Sequence, residues 1–189
     1  NTYVVDTLVD ESDGNFSAGD FSLREAIERA NATTGTQTIL FASSLTASGP
    51  ATITLGGTQL AITSDMNILG SGADRLTIDG NRVSGIFKVD DGNPSLSSLR
   101  TVAISGLTLT GGLNKVGGAI ESTENLTVRD SVITGNTAQS IGGGIASRIG
   151  TLTVKNSTIS NNTAGDGGGL RNDNGTLTVV QSVITGNVA

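Results

Sequence analysis

The residues best suited to chemistry in this 189-residue chain are a short series of opposite charges, Asp79, Arg82, Lys88, Asp90 and Asp91. They fall in neighbouring turns and could project from one side. Two carboxyls about 5–9.5 Å apart can cleave a glycosidic bond, one acting as acid and the other as nucleophile or base. The same residues have a plainer reading: Asp79-Gly80-Asn81 and Asp91-Gly92-Asn93 are ordinary turn sequences. A second set lies in "DTLVDESDGN", where Asp6, Asp10, Glu11, Asp13 and Asn15 gather hard oxygen donors of the kind calcium takes. The spacing is not that of an EF-hand loop, and a polar loop is the alternative. A third set is the T-x-T pairs Thr151/Thr153 and Thr176/Thr178, a flat hydroxyl array that could match an ice lattice. It is short, its next outward positions are Lys155 and Val180, and Thr is also a good exposed strand residue.

"GDGGGL" at 165–170 looks at first like a loop that cradles a phosphate. Such a loop needs a helix after the glycines and a Lys-Ser/Thr pair. Here Leu170 is followed by "RNDNGTLTV", a turn and another strand, and the glycines recur at 117–119 and 142–144.

Composition narrows the chemistry further. With no histidine and no cysteine, Ser-His-Asp and Cys-His catalysis, thiolate metal sites and disulfides are all excluded. A net charge of -6 argues against nucleic acid and anionic membrane surfaces as partners. No apolar run is long enough to span a bilayer. Apart from calcium, no cofactor is implied. Aromatics are only 3% of the chain, and most of Tyr3, Phe16, Phe21, Phe41 and Phe87 should be buried, leaving few rings to stack on sugars.

The elements that must position these residues come from a repeat. "GGAI", "GGGI" and "GGGL" start at 117, 142 and 167, a step of 25 both times. "NLTVRDSVITGNTA", "TLTVKNSTISNNTA" and "TLTVVQSVITGNVA" start at 125, 151 and 176. Each unit holds three short alternating strands, too short for free-standing hairpins and without hairpin turn signals. Such units stack as the coils of a parallel β-helix. Leu126, Leu152 and Leu177 then form one interior column. Val128, Val154 and Val179 form another, Ile133, Ile159 and Ile184 a third, and Ile120, Ile145 and Leu170 a fourth. Asn136, Asn162 and Asn187 fall at a matching turn, where stacked amides can hydrogen-bond and a left-handed backbone is tolerated. Gly117, Gly143 and Gly168 are expected to let the chain take tight corners. Earlier coils are degenerate, with strand-like pieces at 60–62, 68–69, 76–78 and 86–89, and five or six coils are expected from about residue 50 onward.

"FSLREAIERAN" is the one helical pattern, with Leu23, Ala26, Ile27 and Ala30 on one face and Ser22 and Glu25 as a capping box. An amphipathic helix over 22–31 would seal the open end of a β-helix. The expected division is a cap over 1–50 and a β-helix over 51–189. The sequence stops in mid-repeat at "ITGNVA", which points to a fragment of a longer protein and to end-to-end association through the last coil.

"DTLVDESDGNFSAGDFSLREAIERAN", "LTIDGN" and the GGGI/LTV/NSTIS units together resemble bacterial proteins named for a CSLREA motif, with Phe21 in place of the name-giving cysteine. A more distant likeness is to the polymorphic membrane proteins. The resemblance implies a pectin-lyase-like right-handed parallel β-helix, all-β apart from its capping helix, in a secreted or cell-surface bacterial protein. It implies an adhesin or stalk role, with a surface ligand such as carbohydrate or another cell-surface protein. The pectin-lyase-like fold also hosts polysaccharide lyases and hydrolases. A lyase would need an Arg or Lys base beside its carboxylates, which keeps Asp79, Arg82, Lys88, Asp90 and Asp91 as the enzymatic alternative.

Overall fold

A computed structural model of the chain describes residues 1–93 and 95–189. It is a parallel β-solenoid of about six turns with one α-helix near the N-terminus. Three sheets run the length of the stack. Sheet A has seven strands: Thr2–Val5, Gln37–Phe41, Met66–Leu69, Thr101–Ser105, Asn125–Arg129, Thr151–Lys155 and Thr176–Val180. Sheet B has six: Ala51–Thr54, Leu76–Asp79, Thr108–Thr110, Val132–Thr134, Thr158–Ser160 and Val183–Thr185. Sheet C has five: Leu60–Ile62, Phe87–Val89, Ile120–Ser122, Ile145–Ser147 and Leu170–Asn172. A fourth pair, Leu113–Val116 with Thr137–Ile141, closes the corner between B and C in two coils.

Register follows the interior columns read from the repeat. Leu126 pairs with Leu152 and Leu152 with Leu177; Val128, Val154 and Val179 line up in the same strands. Ile133, Ile159 and Ile184 stack in sheet B, and Ile120, Ile145 and Leu170 in sheet C. The degenerate early coils continue the columns: Ile39, Ile68 and Ile104 lead to Val128, and Ile53 and Ile78 lead to Leu109 and Ile133. The core is aliphatic, with Phe87 its one fully buried ring. Each such Ile or Leu withdrawn from water contributes roughly 1.5–3 kcal/mol.

The expected boundary at residue 50 does not coincide with a boundary of the sheets. Thr2–Val5 and Gln37–Phe41 are the first two rungs of sheet A, paired in parallel with each other and then with Met66–Leu69. The helix, α1 (Leu23–Asn31), is inserted between these two rungs. Ser22 is its N-cap: its hydroxyl accepts from the Glu25 N–H at 3.1 Å, and the Glu25 carboxylate accepts from the Ser22 N–H at 3.1 Å. Leu23, Ala26, Ile27 and Ala30 are buried beneath it.

α1 also treats the open edge of sheet C as a neighbouring strand would. The Asn31 side chain donates to the Ala61 carbonyl at 2.7 Å and accepts from the Thr63 N–H at 2.9 Å. Arg24 donates to the carbonyls of Thr58 and Gln59. Edge groups that would otherwise be open to another strand are thereby bonded.

Candidate functional site

The candidate charges are divided between two corners. Asp79 ends its strand in sheet B, and its Oδ1 accepts from the Asn81 N–H at 2.8 Å, so the turn reading of Asp79-Gly80-Asn81 holds. Asn81 and Arg82 follow with φ of 55° and 57°, two successive non-glycine residues in the left-handed region. That conformation is uncommon for such residues, and its strain must be held by surrounding structure. Here the Arg82 N–H donates to the Gly111 carbonyl at 2.7 Å. These residues, with Thr110, Gly111 and Gly135, line a hollow of about 310 Å³. A side chain at position 111 would come within 2.1 Å of the Asp79 carboxylate, so glycine there is what makes room for the acid. Arg82 forms no ion pair among the described residues.

Lys88, Asp90 and Asp91 belong to the other corner, at and beyond the end of the Phe87–Val89 strand in sheet C. Lys88 is ion-paired with Asp90 at 3.2 Å, and Asp91 with Arg100 at 2.8 Å. Burial pulls the Asp90 carboxyl upward, but the Gly92 N–H and Lys88 outweigh it and hold the pKa below the ordinary value. Asp91 is also held low, first by the Asn93 N–H and then by Arg100. Between them lies Glu124, a buried carboxylate that accepts from the Arg100 N–H at 2.6 Å and the Asp91 N–H at 3.3 Å. Its desolvation pushes its pKa up. Sequence reasoning missed Glu124, which follows "GGAIEST" in an otherwise unremarkable turn. Its role is to clasp the two ends of the 91–100 loop. Asp90, with Gly92, Asn93 and Thr123, borders a separate hollow of about 330 Å³. The five charges therefore do not share one hollow.

The N-terminal oxygens are also apportioned. The Asp6 carboxylate accepts from the N–H groups of Gly19 and Phe21, both at 2.8 Å. Asp10 makes a two-pronged pair with Arg24, 2.8 Å on each arm, and accepts from the Gly56 N–H at 2.7 Å. It ties the loop to the helix and to the following coil. Asp13 accepts from the Asn15 N–H, and the Asn15 amide donates to Asp20. Glu11 is pushed up in pKa by desolvation and by the carboxylates of Asp20, Asp13 and Glu25. No group of three or more acidic side chains among the described residues has the geometry to hold a metal ion.

Aromatic burial differs from expectation. Phe16 is exposed, while Tyr3, Phe21 and Phe41 are half-buried. Phe21 packs edge-on against both Tyr3 and Phe16, and the Arg29 guanidinium lies 4.4 Å over the Phe16 ring. Tyr3 and Phe41 stand in the inward columns of the first two rungs, opposite Ile39 and Val5, at the N-terminal end of the stack. Phe21 still packs against the core, as a residue in that place should.

The asparagines form a ladder of amides inside the corner after sheet B. Asn162 Oδ1 accepts from both the backbone N–H and the side-chain amide of Asn136, at 3.0 and 2.9 Å; Asn187 Oδ1 does the same for Asn162, at 3.0 Å each. Asn136 and Asn162 are fully buried. The left-handed backbone belongs to the preceding residues, Gly135, Asn161 and Gly186, with φ of 67°, 54° and 62°.

The corner glycines stack one residue out of the expected register. Gly117, Gly142 and Gly167 form the left-handed column, with φ of 64°, 65° and 63°. Gly118, Gly143 and Gly168 form the next, where backbone crosses backbone: a Cβ on Gly143 would meet the Gly168 carbonyl oxygen at 2.2 Å.

The threonine pairs do align, Thr151 with Thr176 and Thr153 with Thr178, on the outward face of sheet A. A longer array lies on sheet B and was not recognised from the sequence. Its triplets read TIT (52–54), TID (77–79), TLT (108–110), VIT (132–134), TIS (158–160) and VIT (183–185). The central residue of each points inward and the outer two point out. The signal is present in each repeat, in the same triplets that carry the inward Ile column.

No family model, curated protein or solved structure matches the chain.

Proposed function

We propose that the chain is a non-catalytic β-helical module of an exported bacterial surface protein, a rigid stalk or adhesin segment that displays a face rather than transforms a substrate. The observation that carries this reading is the division of the charges. Asp79 and Arg82 share one hollow, while Asp90 and Asp91 stand in another corner, already paired with Lys88 and Arg100. A glycosidase needs its two carboxyls converging on one bond. The continuous columns of sheets A, B and C support the mechanical part of the proposal, since each coil is fixed by the coils on either side. The surface location, and a carbohydrate or cell-surface protein as ligand, come from the resemblance described above.

The test is incubation of the purified chain with a panel of neutral and acidic polysaccharides. The expected result is neither new uronic-acid double bonds nor new reducing ends. Product formation that disappears in Asp79→Ala or Arg82→Ala would overturn the proposal in favour of a lyase or hydrolase.

A further inference from the structure

We propose that the outward face of sheet B is an ice-binding surface, whose ligand is the ordered water of an ice lattice. The inference goes beyond the display role and does not depend on export. Two outward columns run along this sheet. One begins at Thr52, Thr77 and Thr108 and continues through Val132, Thr158 and Val183. The other contains Thr54, Thr110, Thr134, Ser160 and Thr185, interrupted once by Asp79. Successive rungs are about 4.8 Å apart and the two columns about 6.6 Å apart, spacings close to those of oxygen rows on faces of hexagonal ice.

Three further observations separate this face from ordinary strand propensity. First, in the column that begins at Thr52 the only replacement for threonine is valine, at 132 and 183, which has the same branched shape. The outline of the surface is kept even where a hydroxyl is lost. Second, the other two sheets break any such array with charge: sheet A also carries outward threonines, at 127, 151, 153, 176 and 178, but cations stand among them. Sheet A carries Arg129 and Lys155 outward, and the single outward column of sheet C includes Lys88, Glu121 and Arg171. Third, the side chains are held in place. Between Thr77 and Ser160 the outward residues are all half-buried against their neighbours. The Ser160 hydroxyl donates to Thr134 Oγ1 at 3.1 Å, and the Thr108 hydroxyl donates to the Ala73 carbonyl at 2.6 Å. β-Branched side chains held this way lose little freedom when a lattice forms against them. A regular row of hydroxyls and methyls with a single carboxylate suits a periodic neutral ligand rather than a charged one.

The experiment uses the intact purified chain at millimolar concentration, with thermal hysteresis and partition into a slowly growing ice hemisphere as readouts. The expected result is a measurable hysteresis gap and enrichment in the ice. Thr134→Tyr, in the middle of the face, should lose most of both. Thr153→Tyr, at an equivalent outward position on sheet A, should keep them. Circular dichroism melts of each variant establish that it is folded, and Thr110→Tyr replaces Thr134→Tyr if the latter is not. A folded intact chain with no hysteresis and exclusion from ice overturns the proposal, as does equal loss in the sheet A and sheet B variants. Neither outcome bears on whether polysaccharides are cleaved.

Discussion

At the residue scale, two adjacent asparagines do unrelated jobs. Asn161 adopts a left-handed backbone, a place taken by glycine at 135 and 186. Asn162 is buried and links the coil before it to the coil after it through its amide. Truncating it strands the Asn136 N–H, held by Asn162 Oδ1, and the Ile133 carbonyl, which accepts from the Asn162 amide. A buried polar group left without a partner costs about 1–3 kcal/mol, so Asn162→Ala should destabilise by about 3 kcal/mol. Asn161→Gly should lie within about 1 kcal/mol of the parent, because glycine enters that backbone region freely. Urea unfolding of the two variants side by side checks both expectations. This division was only half legible in the sequence. The repeat placed Asn136, Asn162 and Asn187 together, but a φ angle leaves no mark on a sequence of alternating G-N and N-N pairs. The corner glycines show the same limit: a run of two or three glycines can slide by one residue without changing its composition, and only the backbone path separates Gly117 from Gly118.

At the element scale, Asp91 and Arg100 at the two ends of the 91–100 loop are tied together by charge. Asp91 reaches Arg100, and the buried Glu124 carboxylate receives an N–H from each of these residues. Because the folded-state pKa of Asp91 is depressed, its contribution is present above the ordinary aspartate value and is lost as pH falls through the folded one. Asp91→Asn should therefore be destabilising by about 1–2 kcal/mol near about pH 7, and the difference from the parent should close in acid, once pH has fallen through the depressed folded-state value. Denaturation midpoints at neutral pH and in acid provide the measurement, and a difference that persists in acid would rule out the charge-based clasp. The helix was the most legible element, since Ser22, Glu25 and the apolar stripe state its start and its buried face locally. The first two strands of sheet A were not legible. They stand 36 residues apart in pairing partners such as Tyr3 and Ile39, outside the repeat step, with a helix inserted between them. The split of the charges was hidden for a similar reason: Asp79 and Lys88 are close in sequence, but the corner between them sends their strands into different sheets.

At the scale of the whole molecule, the inter-strand hydrogen bonds of the sheets run along the stack, from each coil to the next. This alignment has a mechanical consequence. Tension applied along the axis loads every rung in the direction of its own bonds, so rungs open one after another instead of shearing together. Each released coil of about 25 residues lengthens the chain by about 75–85 Å in exchange for about 4.8 Å of folded height. Single-molecule stretching between the ends of the chain should give a saw-tooth of short, similar steps, whereas one abrupt event releasing the full contour length would contradict it. A stack with this response yields by small increments under load, and its extended length is set by how many coils have peeled away.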